Sequence, residues 1–249
     1  MDTIFKHRSI RKYKDTPISD ADLKEILEAG TRASNTGNMQ VYSIVVTQDP
    51  EMKKKIAPFH FNQPMVTQAP VLLTFCADVN RFHKYSQFRK AEPAYDNFLW
   101  FVNGAIDTIL ASQNVALAAE EKGMGICYLG TTVYMAEQII DLLKLPEGVV
   151  PVTTVVVGYP DENPPLTDRL PLEGLVHYET YKDYSREDID RIYAEKEALE
   201  ETKELLKENQ KETLAQIFTD NRYKKEDNLQ FSKLYLKVLQ EKGFFNHGV

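Results

Sequence analysis

The sequence predicts a fold that combines α-helices with short buried β-strands, and three observations support this prediction. Three segments of strand length are rich in β-branched and apolar residues: Val41 to Thr47, Val71 to Ala77 and Val152 to Gly158. Residues 97–122 form a long apolar stretch without proline, which predicts a helix that is buried on nearly every face. The chain has 249 residues, of which 43% are hydrophobic, and this is enough to fill the core of one large domain or two small ones.

Local capping and breaking signals place the other elements along the chain. A short amphipathic helix is expected to begin at Asp2. Ser19 and Asp22 have the spacing of a capping box, which predicts a helix over residues 19–33. The remaining segments are, in order, a polar turn at 35–38, a short strand or loop at 126–130, a helix at 136–145 and an irregular proline-rich segment at 159–171.

The composition changes after residue 185. Residues 186–212 contain six bases and ten acids around a thin apolar stripe, which predicts an exposed or partner-wrapping helix because so narrow a stripe buries little surface. From residue 221 the tail is basic. We therefore expect residues 1–185 to form the core and residues 186–249 to form a helical C-terminal extension of the same domain, packing on that core or on a partner subunit.

Overall charge and cysteine usage exclude several classes of protein. The 30 basic and 37 acidic side chains give a formal charge of −7, which argues against nucleic acid or an anionic membrane as the main partner. No signal-peptide or membrane-spanning pattern is present, so neither export nor membrane insertion is expected. The two cysteines, Cys76 and Cys127, lie in separate apolar runs and predict packing roles in a reducing compartment. The expected location is the cytoplasm.

Common catalytic and metal-binding motifs are missing from the sequence. The five histidines show no ligand spacing, so no metal site is expected. The glycines between Gly123 and Gly130 follow a helix and lack the order of a dinucleotide-binding fingerprint. No GxSxG elbow and no acid/base pair stands out.

Positive charge is concentrated near the N-terminus. Residues 6–14 hold five lysines and arginines and no acid, whereas the rest of the chain holds 25 bases and 37 acids. Such a cluster suits an anionic ligand such as a phosphate, because charged donors make strong hydrogen bonds to it. A solvated helix face explains the same cluster, so composition alone leaves both interpretations open.

Two further segments carry polar groups suited to a ligand. Residues 32–40 pack short amides and hydroxyls between a helix and a strand, where they could bind a heteroaromatic ring or a sugar-like chain. The same residue types are common in ordinary turns. Arg169 lies in a proline-rich frame after the last strand, which is weak evidence when taken alone.

Together these segments match the motif order of one family. The motifs are H-R-S-I-R at 7–11, N-x-Q at 38–40, G-x-G-x-x-Y-x-G at 123–130, V-x-G-Y-P at 156–160 and P-x-x-x-R-L-P at 165–171. In this order they resemble the FMN-dependent nitroreductases, and most of all the branch of oxygen-insensitive NADPH nitroreductases and NADPH-flavin oxidoreductases. The resemblance covers residues 1–180 and extends to the tail only in its helical character and length.

This resemblance implies an α+β fold with a central, mostly antiparallel sheet flanked by helices, in an intertwined homodimer that binds FMN at its interface. Arg11 would lie near the N1/O2 edge of the flavin and stabilise the charge that builds up on reduction. His7 and Arg169 would approach the phosphate. The implied FMN-binding residues are His7, Arg8, Ser9, Arg11, Asn35, Thr36, Asn38, Gln63, Tyr128, Leu129, Gly130, Thr131 and Arg169.

Two positions depart from the pattern of the family. Thr167 stands where a lysine usually accompanies the phosphate-binding arginine, and the loss of this cation weakens FMN binding unless Lys6 or Lys12 compensates. Thr131 replaces the second glycine of the usual pair, which changes the backbone path expected beside the flavin.

The implied activity is a ping-pong transfer of two electrons from NADPH or NADH, through FMN, to a nitroaromatic, a quinone or free flavin. No acid/base side chain is required for it. Arg222, Lys224 and Lys225 are candidates for binding the 2′-phosphate of NADPH, although a solvated helix explains them equally well. Two alternatives stay open: a non-catalytic flavin carrier or sensor, and a reductive flavoenzyme that dehalogenates small aromatics.

Overall fold

A four-stranded antiparallel sheet forms the centre of the protein. The computed structural model describes residues 1–247 and places the strands in the order β1-β2-β4-β3, with every neighbouring pair antiparallel. The α+β class and the antiparallel sheet are thereby confirmed. The strands are β1 (Tyr42–Thr47), β2 (Val71–Asp78), β3 (Gly125–Leu129) and β4 (Val149–Gly158).

The helices are α1 (Asp2–Phe5), α2 (Asp20–Thr31), α3 (Pro50–Ile56), α4 (Met65–Gln68), α5 (Asn80–Phe88), α6 (Phe98–Glu121), α7 (Ala136–Leu143), α8 (Arg186–Ala198), α9 (Glu200–Asn209), α10 (Leu214–Gln216) and α11 (Lys225–Glu241). The predicted start of α2 is confirmed, because the Ser19 side chain accepts a hydrogen bond from the backbone N–H of Asp22. Asn97 caps α6 in the same way, through the N–H of Trp100. No helix within residues 1–247 combines the length and apolar composition needed to cross a bilayer.

The sheet is covered on both faces because its strand residues alternate in direction. Leu73 and Phe75 of β2 pack with Val115 of α6 and Ile26 of α2 on one face. The intervening Leu72 packs on the opposite face, in a cluster that includes residues of α3, α4 and α7. All eight residues of β2 are buried, which explains why its sequence is almost uniformly apolar.

The chain divides into two compact units. The first contains residues 1–165 together with the chain from Phe231 onward, and the second contains Leu166–Gln230. In the first unit, Val238, Leu239 and Phe244 belong to the same buried cluster as Phe101 of α6. The domain boundary that the sequence places at residue 185 stays a prediction.

The second unit is mainly helical. A capping box at its first helix pairs the Ser185 side chain with Asp188. Gly174 packs against Ile192, so closely that a Cβ at residue 174 would lie 2.7 Å from the Ile192 Cγ2. A π-helix over Ile217–Arg222 precedes the basic segment that leads into α11.

Two expectations about helices are corrected, and three helices were not predicted. The predicted helix over residues 186–212 is divided, because Leu199 adopts an extended backbone (ψ 138°) between α8 and α9. Helices α3, α4 and α5 were not predicted, since they have only seven, four and nine residues. The expectation that α6 is buried on nearly every face is wrong for a single chain, because Leu99, Ile106 and Ile109 are 64%, 51% and 52% exposed.

Candidate functional site

The N-terminal basic segment lies along the edge strand β3. Ser9 forms a parallel bridge with Ile126, and the Ile10 N–H donates to the Ile126 carbonyl at 2.9 Å. This approach requires a glycine at position 125, since a Cβ there would lie 2.5 Å from the Ile10 Cγ1. One glycine of the G-x-G-x-x-Y-x-G motif therefore serves the packing of this segment on the sheet.

Acidic side chains bind much of this segment. The His7 Nδ1 lies 2.6 Å from the Glu120 Oε1 near the end of α6. The Glu162 carboxylate accepts the backbone N–H groups of Arg11 and Lys12. A groove of about 310 Å³ beside the segment is lined by Lys6, Arg8, Glu120, Glu162 and Asn163, among others. The cluster is thus less positive than its composition suggests.

Three cations of the segment have no side-chain partner within residues 1–247. The side chains of Arg11, Lys12 and Lys14 are exposed, and within the described part of the chain no hydrogen bond or ion pair engages them. The Arg8 Nη1, in contrast, donates to the Asn163 Oδ1 at 3.2 Å. Arg11 is therefore the arginine, and one of three cations, that this segment leaves available to a ligand.

The small-polar turn is tied to the middle of α6. Thr36–Asn38 forms a 3-10 turn, and the Asp107 Oδ1 accepts both the backbone N–H and the hydroxyl of Thr36, at 2.8 and 3.0 Å. The Asn35 Oδ1 accepts the Gln40 N–H at 3.2 Å. The left-handed backbone of Asn38 (φ 57°) is sparsely populated for residues with a Cβ, and the Gln40 Nε2 donates to its carbonyl oxygen and Oδ1 at 2.7 and 2.8 Å.

A buried histidine joins two more of the predicted segments. His60 ends the 3-10 turn Ala57–His60 and is fully buried, and its Nδ1 lies 2.8 Å from the Thr131 Oγ1. Its carbonyl oxygen accepts the Gln63 N–H at 3.1 Å. Burial lowers the pKa of His60 to about 4, so the ring is neutral near pH 7. His60 thus contacts Gln63 through its backbone carbonyl and Thr131 through its ring.

Tyr128 connects β3 to α6. Its hydroxyl lies 3.1 Å from the Ser112 Oγ and 3.4 Å from the Gln113 Oε1. Burial raises the pKa of the Tyr128 phenol, which is therefore protonated and able to donate. The next residues, Leu129 to Thr131, turn away from the strand into a 3-10 turn over Gly130–Thr132.

The predicted residues form two groups rather than one site within a single chain. The turn at Thr36 is bound by Asp107, whereas His7 is bound by Glu120. These two acids are separated by about 20 Å along the axis of α6, from the helical rise per residue. One flavin ring system cannot reach both groups of the same chain.

The other candidates lie in the second unit. The Arg169 Nη1 donates to the carbonyl oxygens of Thr167 and Asp168, at 3.2 and 2.8 Å. Arg222 ends the π-helix and lies over the Phe218 ring at 5.6 Å, followed by exposed Lys224 and Lys225. Their assignment to the cofactor phosphate and to NADPH stays a prediction.

Four buried polar side-chain atoms lack a hydrogen-bond partner within residues 1–247. They are Arg8 Nε, His60 Nε2, Asp107 Oδ2 and Glu120 Oε2. Unpaired buried polar atoms are rare in folded proteins and each one needs an explanation. Each of these four belongs either to a predicted ligand-binding residue or to the residue that holds one.

Sequence reasoning missed Asp107, Glu120 and His60. Asp107 did carry a signal in the sequence. It lies in the middle of the otherwise apolar α6, and burying an acid costs free energy unless the acid has a partner or a function. His60 has no ligand or catalytic partner among its sequence neighbours, so no local pattern indicates a role for it. No group of three or more His, Cys, Asp and Glu side chains in the described chain is arranged to hold a metal ion.

Comparisons with known proteins identify relatives of this chain. The model of the family described as "Nitroreductase family" matches residues 4–159. The NADPH-flavin oxidoreductase of Vibrio harveyi is 36% identical over 189 residues, which cover 76% of this chain and 77% of that protein. The FMN reductase [NAD(P)H] of Bacillus subtilis is 36% identical over 182 residues, covering 70% of this chain and 71% of that protein.

Solved structures share the fold over almost the whole chain. A protein from Bacteroides fragilis is 55% identical with a TM-score of 0.97, covering 99% of this chain and 100% of that one. The NADPH:FMN oxidoreductase of Vibrio harveyi, solved in complex with NAD+, is 31% identical with a TM-score of 0.80, covering 99% of this chain and 98% of that one.

Proposed function

The chain belongs to the nitroreductase family, and from that premise we propose that it is a homodimeric FMN-dependent oxidoreductase that transfers two electrons from NAD(P)H to a small acceptor. Relatives that carry the names NADPH-flavin oxidoreductase and FMN reductase support this activity. The acceptor classes we propose are nitroaromatics, quinones and free flavin.

The unpaired buried polar atoms carry this proposal. FMN contains a phosphate, a hydroxylated ribityl chain and a ring with both donors and acceptors. These groups suit the unpaired donor on Arg8 and the unpaired acceptors on Asp107 and Glu120. The residues present therefore fit FMN, with His7 to Arg11 and Gly130 to Thr131 as one part of its site.

The proposed chemistry depends mainly on electrostatics. Bound FMN supplies the centre that takes up and releases the hydride. Arg11 provides a cation without an internal partner, and we assign it to the edge of the ring where negative charge develops. The nicotinamide and the acceptor are proposed to occupy the same open face in turn, as ping-pong kinetics require. No general acid or base is assigned.

Two subunits complete the proposed site. Leu99, Ile106 and Ile109 form an exposed apolar face on α6, which a two-fold partner would bury. Such a partner could bring its own Thr36 turn to the His7 to Arg11 segment of the first chain. This arrangement explains why the two groups lie so far apart on one helix.

Further residues support proposals on the preference for NADPH over NADH and on the cellular location. We propose that the 2′-phosphate of NADPH binds to three exposed cations, Arg222, Lys224 and Lys225. Their replacement by alanine should raise KM for NADPH but not for NADH. Arg169 is proposed to bind the FMN phosphate. Cys76 and Cys127 are free and buried thiols, which fits the cytoplasmic location that we propose.

The test is anaerobic reduction of the purified protein. We expect it to bind FMN and to lose its flavin absorption when NADPH or NADH is added. Bound FMN that neither nicotinamide reduces would instead identify a flavin carrier, and failure to bind FMN would refute the proposal. Arg11→Ala should slow flavin reduction about 10- to 100-fold, whereas the matched Lys14→Ala, at an exposed cation of the same segment, should not. Unchanged kinetics in Arg11→Ala would remove Arg11 from this role.

A further inference from the structure

His60 and Thr131 form a buried hydrogen bond between two short turns. The Nδ1 to Oγ1 distance is 2.8 Å, and His60 has no exposed surface. One turn leads to Gln63 through the His60 carbonyl, and the other contains Gly130. The bond therefore links two of the segments that are proposed to face FMN.

The backbone after His60 is strained. Phe61 and Asn62 both adopt the left-handed region, with φ of 54° and 53°, although neither is a glycine. Two successive residues of this kind persist only when the surrounding structure holds them. The N–H groups of Phe61 and Asn62 donate to the carbonyls of Pro58 and Ala57. These backbone hydrogen bonds hold the left-handed loop that directly follows His60.

The two possible directions of the His60 bond leave different donors without a partner. If Thr131 donates to Nδ1, the proton on Nε2 is a buried N–H with no acceptor within residues 1–247, on a side chain that has no exposed surface. If Nδ1–H donates to Thr131, the Nε2 lone pair is unpaired and the Thr131 O–H is the donor without a protein acceptor in the described structure. Thr131 is 8% exposed and lies in a turn that is proposed to face FMN, so only in the second direction can a ligand satisfy the unpaired donor.

We propose that His60 is a positioning residue that makes the Thr131 hydroxyl a hydrogen-bond donor to the bound flavin. This inference rests on the proposed function, because it assigns a role toward FMN. His60 acts through Thr131, and Thr131 contacts the cofactor. A histidine held neutral by burial is suited to this task, because it donates from Nδ1 without placing a positive charge in the core.

The test measures FMN binding to the apoprotein by quenching of FMN fluorescence, together with the flavin absorption spectrum. Thr131→Val keeps the shape but removes the hydroxyl, and we expect it to weaken FMN binding about tenfold and to shift the spectrum. Thr131→Ser should bind as wild type does. His60→Leu should weaken binding to a similar extent, and the double variant should show little further loss, because both changes remove one interaction.

Thr132→Val is the matched control. Its hydroxyl is also buried but donates to the Leu129 carbonyl, so its loss affects the loop without removing a group directed at the flavin. We expect FMN affinity within twofold of wild type for this variant. The proposal is overturned if Thr131→Val leaves both affinity and spectrum unchanged, or if the His60 and Thr131 effects add. Those two outcomes overturn this inference alone. Wild-type protein that binds no FMN would overturn the proposed function and, with it, this inference.

Discussion

Replacing Gly125 with alanine tests how closely the basic segment packs on the sheet. The new Cβ would lie 2.5 Å from the Ile10 Cγ1 and 2.7 Å from the Ile10 Cβ. Carbon atoms in good contact are about 3.5–4.0 Å apart, so the basic segment must move about 1 Å away from β3. Rotation about χ1 does not relieve the contact with the Ile10 Cβ. The whole segment must therefore move, and with it Ser9 and Arg11.

Overpacking of this kind costs about 1–3 kcal/mol. For a protein of this size the loss lowers Tm by roughly 2–12 °C. Differential scanning fluorimetry of the apoprotein at one fixed concentration measures this effect without the contribution of bound ligand. A second measurement, FMN affinity, should fall as well, because the displaced segment carries proposed FMN-binding residues.

Gly130→Ala is the matched control for stability. It lies in the same motif, its φ is not positive, and a Cβ there would meet no atom within 4 Å. We expect its Tm to stay within about 2 °C of wild type. If Gly125→Ala melts together with Gly130→Ala, the close packing of Ile10 on β3 does not contribute to the fold, and the structural reason for this glycine is wrong.

Two more predictions concern the residues that hold the site. The pKa of His60 is about 4 in the folded state against 6.5 when unfolded, so the unfolded chain binds more protons between these values and stability falls as pH drops through this window. Urea unfolding of the wild type should show that the free energy of unfolding falls by about 3 kcal/mol as the pH is lowered through this window, and His60→Asn should lack this fall. Equal pH dependence in the two proteins would contradict the buried neutral ring. Asp107→Ala should destabilise by about 1–3 kcal/mol, because it leaves the part-buried Thr36 donors without their acceptor, whereas Asp107→Asn should cost less; equal denaturation midpoints for the two variants would refute this assignment.

The strands were predictable because their side chains obey a local rule. β2 was expected at 71–77 and lies at Val71–Asp78, since a strand that is buried on both faces needs apolar residues throughout. The start of α2 was equally local, because Ser19 caps it from within the same turn. Helix α3 carried a comparable signal, with Asp49 as its cap and Pro50 at its first position, and this signal was overlooked.

The site was only partly predictable for the opposite reason. The composition of residues 6–14 and 32–40 indicated polar ligand-binding segments. Their partners, Glu120 and Asp107, are 113 and 71 positions away from His7 and Thr36, and no local pattern links them. α6 shows the same limit, because an apolar residue has the same sequence signature whether it faces its own core or a second chain.

The structure changes what the positive charge near the N-terminus can do. The Lys6 Nζ bonds Asp2 at 3.0 Å, and His7 is held by Glu120. Lys6 therefore has an acidic partner, whereas Lys12, the other residue named as a possible replacement for the missing lysine, has an exposed side chain with no partner within residues 1–247. Arg8, Lys12 and Lys14 thus remain as sources of positive charge for a phosphate. Arg11, whose guanidinium also lacks a partner in the described chain, is the residue that we propose for the ring, where one positive charge has the largest effect on flavin reduction.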